Sequence, residues 1–269
     1  MSDSTLRRAT LPNGLTVAYQ VKAELRQFYE DIFERQTYLR GGITLPPDAV
    51  VFDVGANIGL FTLFVGQIRP GSHVFAFEPA APLAEILAAN AAIAGCAVTL
   101  CPYGLGARSG SSSFTFYPHS SGLSSFYPNP AEEAAALRTL IANQLERGGR
   151  PGLETLRGYE DELVRERLRG EILSCAIRTL SEVVREHAVA RIDLLKVDVE
   201  KSEADVLHGI APADWPKIRQ AVVEVHDVAG RLRSLEELFV AQGFAVSSEQ
   251  DDLYLGSDRY NLYARRLSP

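Results

Sequence analysis

The chain has little cysteine, no surplus of positive charge and no long uninterrupted apolar run, and each shortage removes a class of protein. Its three cysteines, Cys96, Cys101 and Cys175, form no Cys-x-x-Cys pair and have no histidine at zinc-ligand spacing. That argues against a zinc site or a disulfide framework and leaves buried, inert thiols as the expectation. Lys and Arg number 27 against 34 Asp and Glu, a formal net charge of -7. Nucleic acid and anionic membranes attract surplus cations, so neither is expected as a partner. The greasiest stretch, residues 80–98, is interrupted by Glu85 and Asn90, and the first eight residues lack the apolar core of a secretory signal. The expected location is therefore cytoplasmic.

What is present fits one α/β domain with an insertion. At 269 residues, 46% hydrophobic and 23% charged, the chain can bury a substantial core. The turn Pro12-Asn13-Gly14 between apolar runs predicts a small hairpin or an edge segment within 10–19, and Leu25, Phe28, Tyr29, Ile32 and Phe33 recur at helical spacing. Apolar runs at 50–54, 73–77 and 97–101 predict strands. Between them lie helical patterns carrying Leu60, Leu63 and Phe64, then Leu83, Ile86 and Leu87 after Pro82. Strand, helix, strand, helix, strand is the pattern of parallel βαβ units. It breaks at about 106–175, where Ser109–Ser113, an aromatic-rich stretch and two charged helical segments intervene. So long an interruption is expected to be a lid or substrate-binding insertion. Thr179 to Glu182 then reads as a capping box, 192–197 and 220–225 as strands with a helix between them, and Leu232, Leu235, Leu238 and Phe239 as a helix. The segments 244–248 and 260–265 close the chain without a helical pattern between them, which predicts an antiparallel hairpin at the end of a parallel sheet.

In such a sheet ligands bind beyond the carboxyl ends of the strands, where strand order reverses. Asp53 ends the first core strand, Gly55 and Gly59 let backbone approach a ligand at the following helix, and Glu78 ends the second strand. A carboxylate there can accept both hydroxyls of a ribose. The loop lacks the middle glycine of G-x-G-x-x-G, which makes room for a pyrophosphate. S-adenosylmethionine (SAM), which has no phosphate and carries an ammonium, fits it better than NAD. A second group, Asp198, Glu200, Glu224, His226 and Asp227, lies at the ends of two later strands. Alternation sends Asp198 with Glu200, and Glu224 with His226, toward one crevice if strand geometry persists.

Val51-Phe-Asp-Val-Gly-Ala-Asn-Ile-Gly59, Phe77-Glu-Pro79, Leu194-Leu-Lys-Val-Asp-Val-Glu-Lys-Ser-Glu203 and Val222-Val-Glu-Val-His226 together resemble the FkbM-type family of class I SAM-dependent methyltransferases. More weakly, the N-terminal segment and the insertion resemble O-methyltransferases of polyketide and nonribosomal peptide assembly lines, whose relatives act on carrier-bound intermediates. The resemblance implies a seven-stranded Rossmann-like α/β sheet in the order 3214576, last strand antiparallel, helices on both faces. It implies an N-terminal hairpin and helix, 1–47, covering the cofactor site, and a methyltransferase core, 48–269, carrying a helical or loop insertion.

The expected cofactor-holding residues are Asp53, Gly55, Asn57, Gly59, Glu78, Pro79, Gly104 and Asp198; Tyr117, Phe126 and Tyr127 are expected lid residues. The expected reaction is O-methylation of a hydroxylated small molecule or a carrier-tethered intermediate, yielding S-adenosylhomocysteine. His226 is the expected general base, supported by Glu200 or Glu224, with no metal. Two alternatives stay open: a Mg²⁺-dependent methyltransferase of a free small molecule using the same acids, and a SAM-binding regulatory or scaffold protein without catalysis.

Overall fold

The computed structural model describes residues 6–146 and 160–267. Residue 147, in the first charged helical stretch of the insertion, lies outside them. A two-stranded hairpin, β1 (Arg8–Thr10) and β2 (Thr16–Ala18), leads into helix α1 (Lys22–Tyr29), which runs on as a π-helical turn over Glu30–Glu34. The core begins with β3 (Val50–Val54), α2 (Leu60–Ile68), β4 (His73–Phe77), α3 (Ala81–Ala91) and β5 (Ala97–Cys101). The three strands match the apolar runs residue for residue.

After the insertion come α6 (Leu180–Glu186), capped by the expected Thr179–Glu182 box, then β9 (Leu194–Val197) and α7 (Glu203–His208). The chain ends with β10 (Gln220–His226), α8 (Arg231–Ala241), β11 (Phe244–Glu249) and β12 (Arg259–Arg266). The seven core strands form one sheet, ordered β11-β12-β10-β9-β3-β4-β5, in which β12 alone runs antiparallel to its neighbours. Numbered from β3 as the first core strand, this is the order 3214576.

The central strands are apolar on both sides because both faces are covered. Val51, Val74, Leu194 and Val222 pack under α1, α2 and α3, while Phe52, Phe75, Leu195 and Val223 meet α6, α7 and α8. The chain winds outward from β3 to β5, then returns to lay β9 on the other side of β3. The strand order reverses there, which opens a crevice beyond the carboxyl ends of β3 and β9.

The insertion is more than helix and loop. It holds β6 (Gly104–Leu105), β7 (Gly110–Phe116), α4 (Pro130–Glu146), α5 (Glu160–Arg167) and β8 (Glu171–Arg178), with the three strands in a separate sheet of order β6-β8-β7. Serines 111–113 of β7 are exposed, so that half of the strand has no apolar face and no alternation to betray it. Among the described residues no helix is long and apolar enough to cross a membrane.

Candidate active site

The site starts from a buried ion pair. Asp53 is fully buried, with Lys196 of β9 at 3.1 Å from one carboxylate oxygen and the Thr62 hydroxyl donating to the other at 2.8 Å. Lys196 also donates to the Gly55 carbonyl at 2.8 Å and lies 3.8 Å from Asp198. Burial by itself would lower the lysine's pKa, but Asp53 and Asp198 hold it above its ordinary value. Asp53 therefore lies behind the cavity wall, tying β3 to β9.

The glycines serve the same junction. At Gly55, φ is +78°, and a Cβ would stand 1.8 Å from the Asp198 carbonyl oxygen. At Gly59, φ is +85°, and a Cβ would meet Leu87 of α3 at 2.6 Å. Both positions need glycine for their positive φ and for close packing within the chain, and Gly55 also lines the cavity.

A cavity of about 180 Å³ opens beside these loops. Glu78, Asn57, Pro79 and Gly104 are on its wall, as are Phe77 and Leu105. Glu78 is 5% exposed and accepts backbone N–H bonds from Asn57 at 3.0 Å and Ala80 at 2.9 Å. Burial raises its carboxyl to about 7 against those two bonds. Asp198 faces the same cavity and accepts from the Tyr38 hydroxyl at 2.7 Å. The wall carries six carboxylates (Glu24, Asp31, Glu78, Asp198, Glu200 and Glu224) and three cations, Arg167, Lys196 and Arg259. It suits a ligand that is cationic where it meets the acids.

The second expected cluster is assembled, by a different geometry. Strand β9 stops at Val197, and Glu200 and Lys201 take left-handed conformations, φ +46° and +78°. Non-glycine residues held there carry strain, which concentrates at functional sites. Glu200 and Glu224 reach the cavity wall, and Arg259 of β12 joins them, 2.6 Å from Glu200 and 3.0 Å from Glu224. Register explains its arrival, for Arg259 pairs directly with His226 across β10 and β12.

His226 is held between two carboxylates. Its Nε2 lies 3.1 Å from Glu200, as expected, but its Nδ1 lies 3.1 Å from Glu203, and the ring is 3% exposed and off the cavity wall. Burial disfavours its charge, yet Glu200 and Glu203 outweigh burial and lift it to about 10. Both ring nitrogens are thus paired with carboxylates. Glu200, Glu224 and His226 each bring a donor atom within 4.8 Å of the others, a spacing a metal ion can use. The cation set between the two carboxylates is the Arg259 guanidinium. Asp227 stands apart and accepts from Leu232 N–H at 3.0 Å in the first turn of α8.

Of the expected lid residues, Phe126 is on the wall, edge-on to Phe114. Tyr117 is buried and donates to Glu133 at 2.6 Å, while Tyr127 is half-exposed and donates to Asp205. Neither is among the wall residues.

Residues 53–246 match the family model described as the methyltransferase FkbM domain. The chain belongs to the FkbM methyltransferase family. It is 42% identical over 270 residues to the 31-O-demethyl-FK506 methyltransferase FkbM of Streptomyces tacrolimicus, covering 100% of both chains. It is also 42% identical over 272 residues, 98% of this chain, to the AMB antimetabolite synthetase AmbE of Pseudomonas aeruginosa, of which it spans 13%. Among solved structures it resembles a methyltransferase FkbM from Methylobacillus flagellatus at TM-score 0.50 and 14% identity, covering 84% of this chain and 46% of that one, a likeness of fold.

An FkbM-family methyltransferase of this kind is SAM-dependent, and the cavity fits that cofactor. Glu78 has a buried carboxylate for a ribose diol, Phe77 and Leu105 offer apolar wall for a base, and Asp198 offers charge for an ammonium. The family's insertion is wired to the strained Glu200 turn. Ser125 donates to the Glu200 carbonyl, and Lys201 lies 2.9 Å from Glu132 and 3.8 Å from Glu133 of α4. On the other side Glu24 of α1 accepts from the Ser121 hydroxyl at 2.8 Å and backbone N–H at 3.1 Å. Sequence reasoning missed Tyr38, Lys196, Glu203 and Arg259. Lys196 alone had a local signal, a charge inside the apolar run Leu194–Val197.

Proposed function

We propose that this FkbM-family enzyme methylates a hydroxyl of a polyketide- or peptide-type biosynthetic intermediate, free or carrier-tethered, without a metal ion. The observation that carries this reading is one cavity wall bearing both Glu78 with Asn57 and, beyond Asp198, the acids Glu200 and Glu224. When bound, the cofactor supplies an electrophilic methyl group on a positively charged sulfur.

An aliphatic hydroxyl is a poor nucleophile until its proton is taken, and a positioned acceptor is worth roughly 10²–10⁴-fold in rate. The acid cluster is the place for that proton. In this reading His226 holds Glu200 from behind. Phe28 and Ile32 of the N-terminal segment and Ser121 and Phe126 of the insertion line the cavity, and in this reading they keep water from the reacting atoms. The full-length relative named for 31-O-demethyl-FK506 supports an oxygen acceptor on a natural product.

Arg259, placed 2.6 Å from Glu200 and 3.0 Å from Glu224, supports the metal-free form of this reading. The test is to incubate the protein with SAM and a panel of 31-O-demethyl-FK506 and simpler secondary alcohols, with and without EDTA, and locate new methyl groups by mass spectrometry. Methyl ethers formed equally in both conditions are expected. Methylation only at nitrogen or carbon contradicts the reading, and loss of turnover on chelation with recovery on added Mg²⁺ contradicts its metal-free form.

A further inference from the structure

Behind the acceptor side of the cavity the charged groups form a single string of alternating sign. Arg231, Glu203, His226, Glu200, Arg259 and Glu224 follow one another at 3.0, 3.1, 3.1, 2.6 and 3.0 Å. His226 sits between two carboxylates, and Glu200 sits between His226 and Arg259. Glu224 is the end of the string. Among the described residues its ion-pair contact is Arg259, and it reaches the cavity wall, where His226 does not.

We propose that Glu224 is the residue that takes the proton of the acceptor hydroxyl, with Arg259 aiming its carboxylate and the His226–Glu200 pair acting as positioning residues. The proposal rests on the reading of the reaction as hydroxyl methylation. The acceptor's O–H bond breaks and its proton goes to Glu224. An O–CH₃ bond forms as the S–CH₃ bond breaks, its electron pair staying on sulfur, and the proton passes to water as product leaves.

The surroundings of Glu224 suit this role. Burial and the neighbouring Asp198 charge push its carboxyl up to about 8, with Glu200 adding to them and Arg259 and His226 opposing. Lys196 of β9 also acts on it electrostatically, as do the phenols of Tyr38 in the N-terminal segment and Tyr254 between β11 and β12. A carboxyl so placed is largely protonated at neutral pH until a further cation enters the cavity. A sulfonium is such a cation and the thioether product is not, so binding the donor is expected to free Glu224 for its task.

Calorimetric titration with SAM and, separately, with S-adenosylhomocysteine, at pH 7.5 in two buffers of different ionisation enthalpy, counts the protons released. SAM is expected to release roughly half a proton more than the homocysteine product. That excess disappears in Glu224→Gln and persists in His226→Gln. An excess that survives Glu224→Gln, or that is absent from the unaltered protein, overturns the proposal. The result is independent of any acceptor, so failure of the alcohol panel and failure of this assignment are separate outcomes.

Discussion

Replacing Glu78 with alanine is expected to weaken SAM binding by about 10²–10⁴-fold. Net hydrogen bonds to a charged group are worth about 1.5–3 kcal/mol each, a buried carboxylate can accept two from a ribose diol, and each 1.4 kcal/mol is tenfold in affinity. The alanine variant also strands the N–H groups of Asn57 and Ala80, which now donate to this side chain. Glu78→Gln keeps the shape and an acceptor oxygen, so it should lose less. The pH dependence has a definite sign. In the free protein burial holds the carboxyl up to about 7, whereas bonds donated by the ribose favour the ionised form. Affinity should therefore rise as pH climbs through 7 and level off above it, and Glu78→Gln should flatten that rise. Calorimetry across pH reads both effects; a Glu78→Ala variant binding within threefold of the parent would remove this carboxylate from the cofactor site.

Lys196→Met should cost about 3–5 kcal/mol of folding stability, the usual consequence of leaving a buried partner charge uncompensated. The stranded groups are named by the geometry. Asp53 would keep only the Thr62 hydroxyl, and the Gly55 carbonyl would lose its donor at 2.8 Å. Because this ammonium ties the loop after β3 to the one after β9, cofactor affinity should fall with stability. Adding Asp53→Asn removes the orphaned charge, so the double variant should recover part of the loss, a coupling that urea denaturation of all four proteins measures. A single variant within 1 kcal/mol of the parent would mean that the pair does not organise the junction.

The architecture was readable because burial on both faces leaves a plain trace. The runs at 50–54 and 73–77 are apolar without alternation and almost wholly buried, and helical spacing follows each of them. The insertion's small sheet was hidden since the first half of β7 is polar and exposed, and tertiary pairing with β8 alone makes it a strand. At the site, residue types at strand ends pointed to the right crevice, and the partners decided what each residue does there. Glu203 and Arg259 reach His226 and Glu200 through long-range packing and strand register, which no local pattern encodes. Those two residues add an ion pair to each side of the His226–Glu200 contact. At Gly55 and Gly59 the pattern gave no sign of the packing against the Asp198 carbonyl and Leu87 that also favours glycine there.

In the proposed reaction one cavity serves as donor site and acceptor site together. A crystal structure of the protein with S-adenosylhomocysteine tests that most directly. The ribose hydroxyls are expected on Glu78 and the amino group near Asp198, with the sulfur facing the space between Glu200 and Glu224. A nucleoside bound away from Glu78, or a sulfur turned away from those two acids, would contradict it.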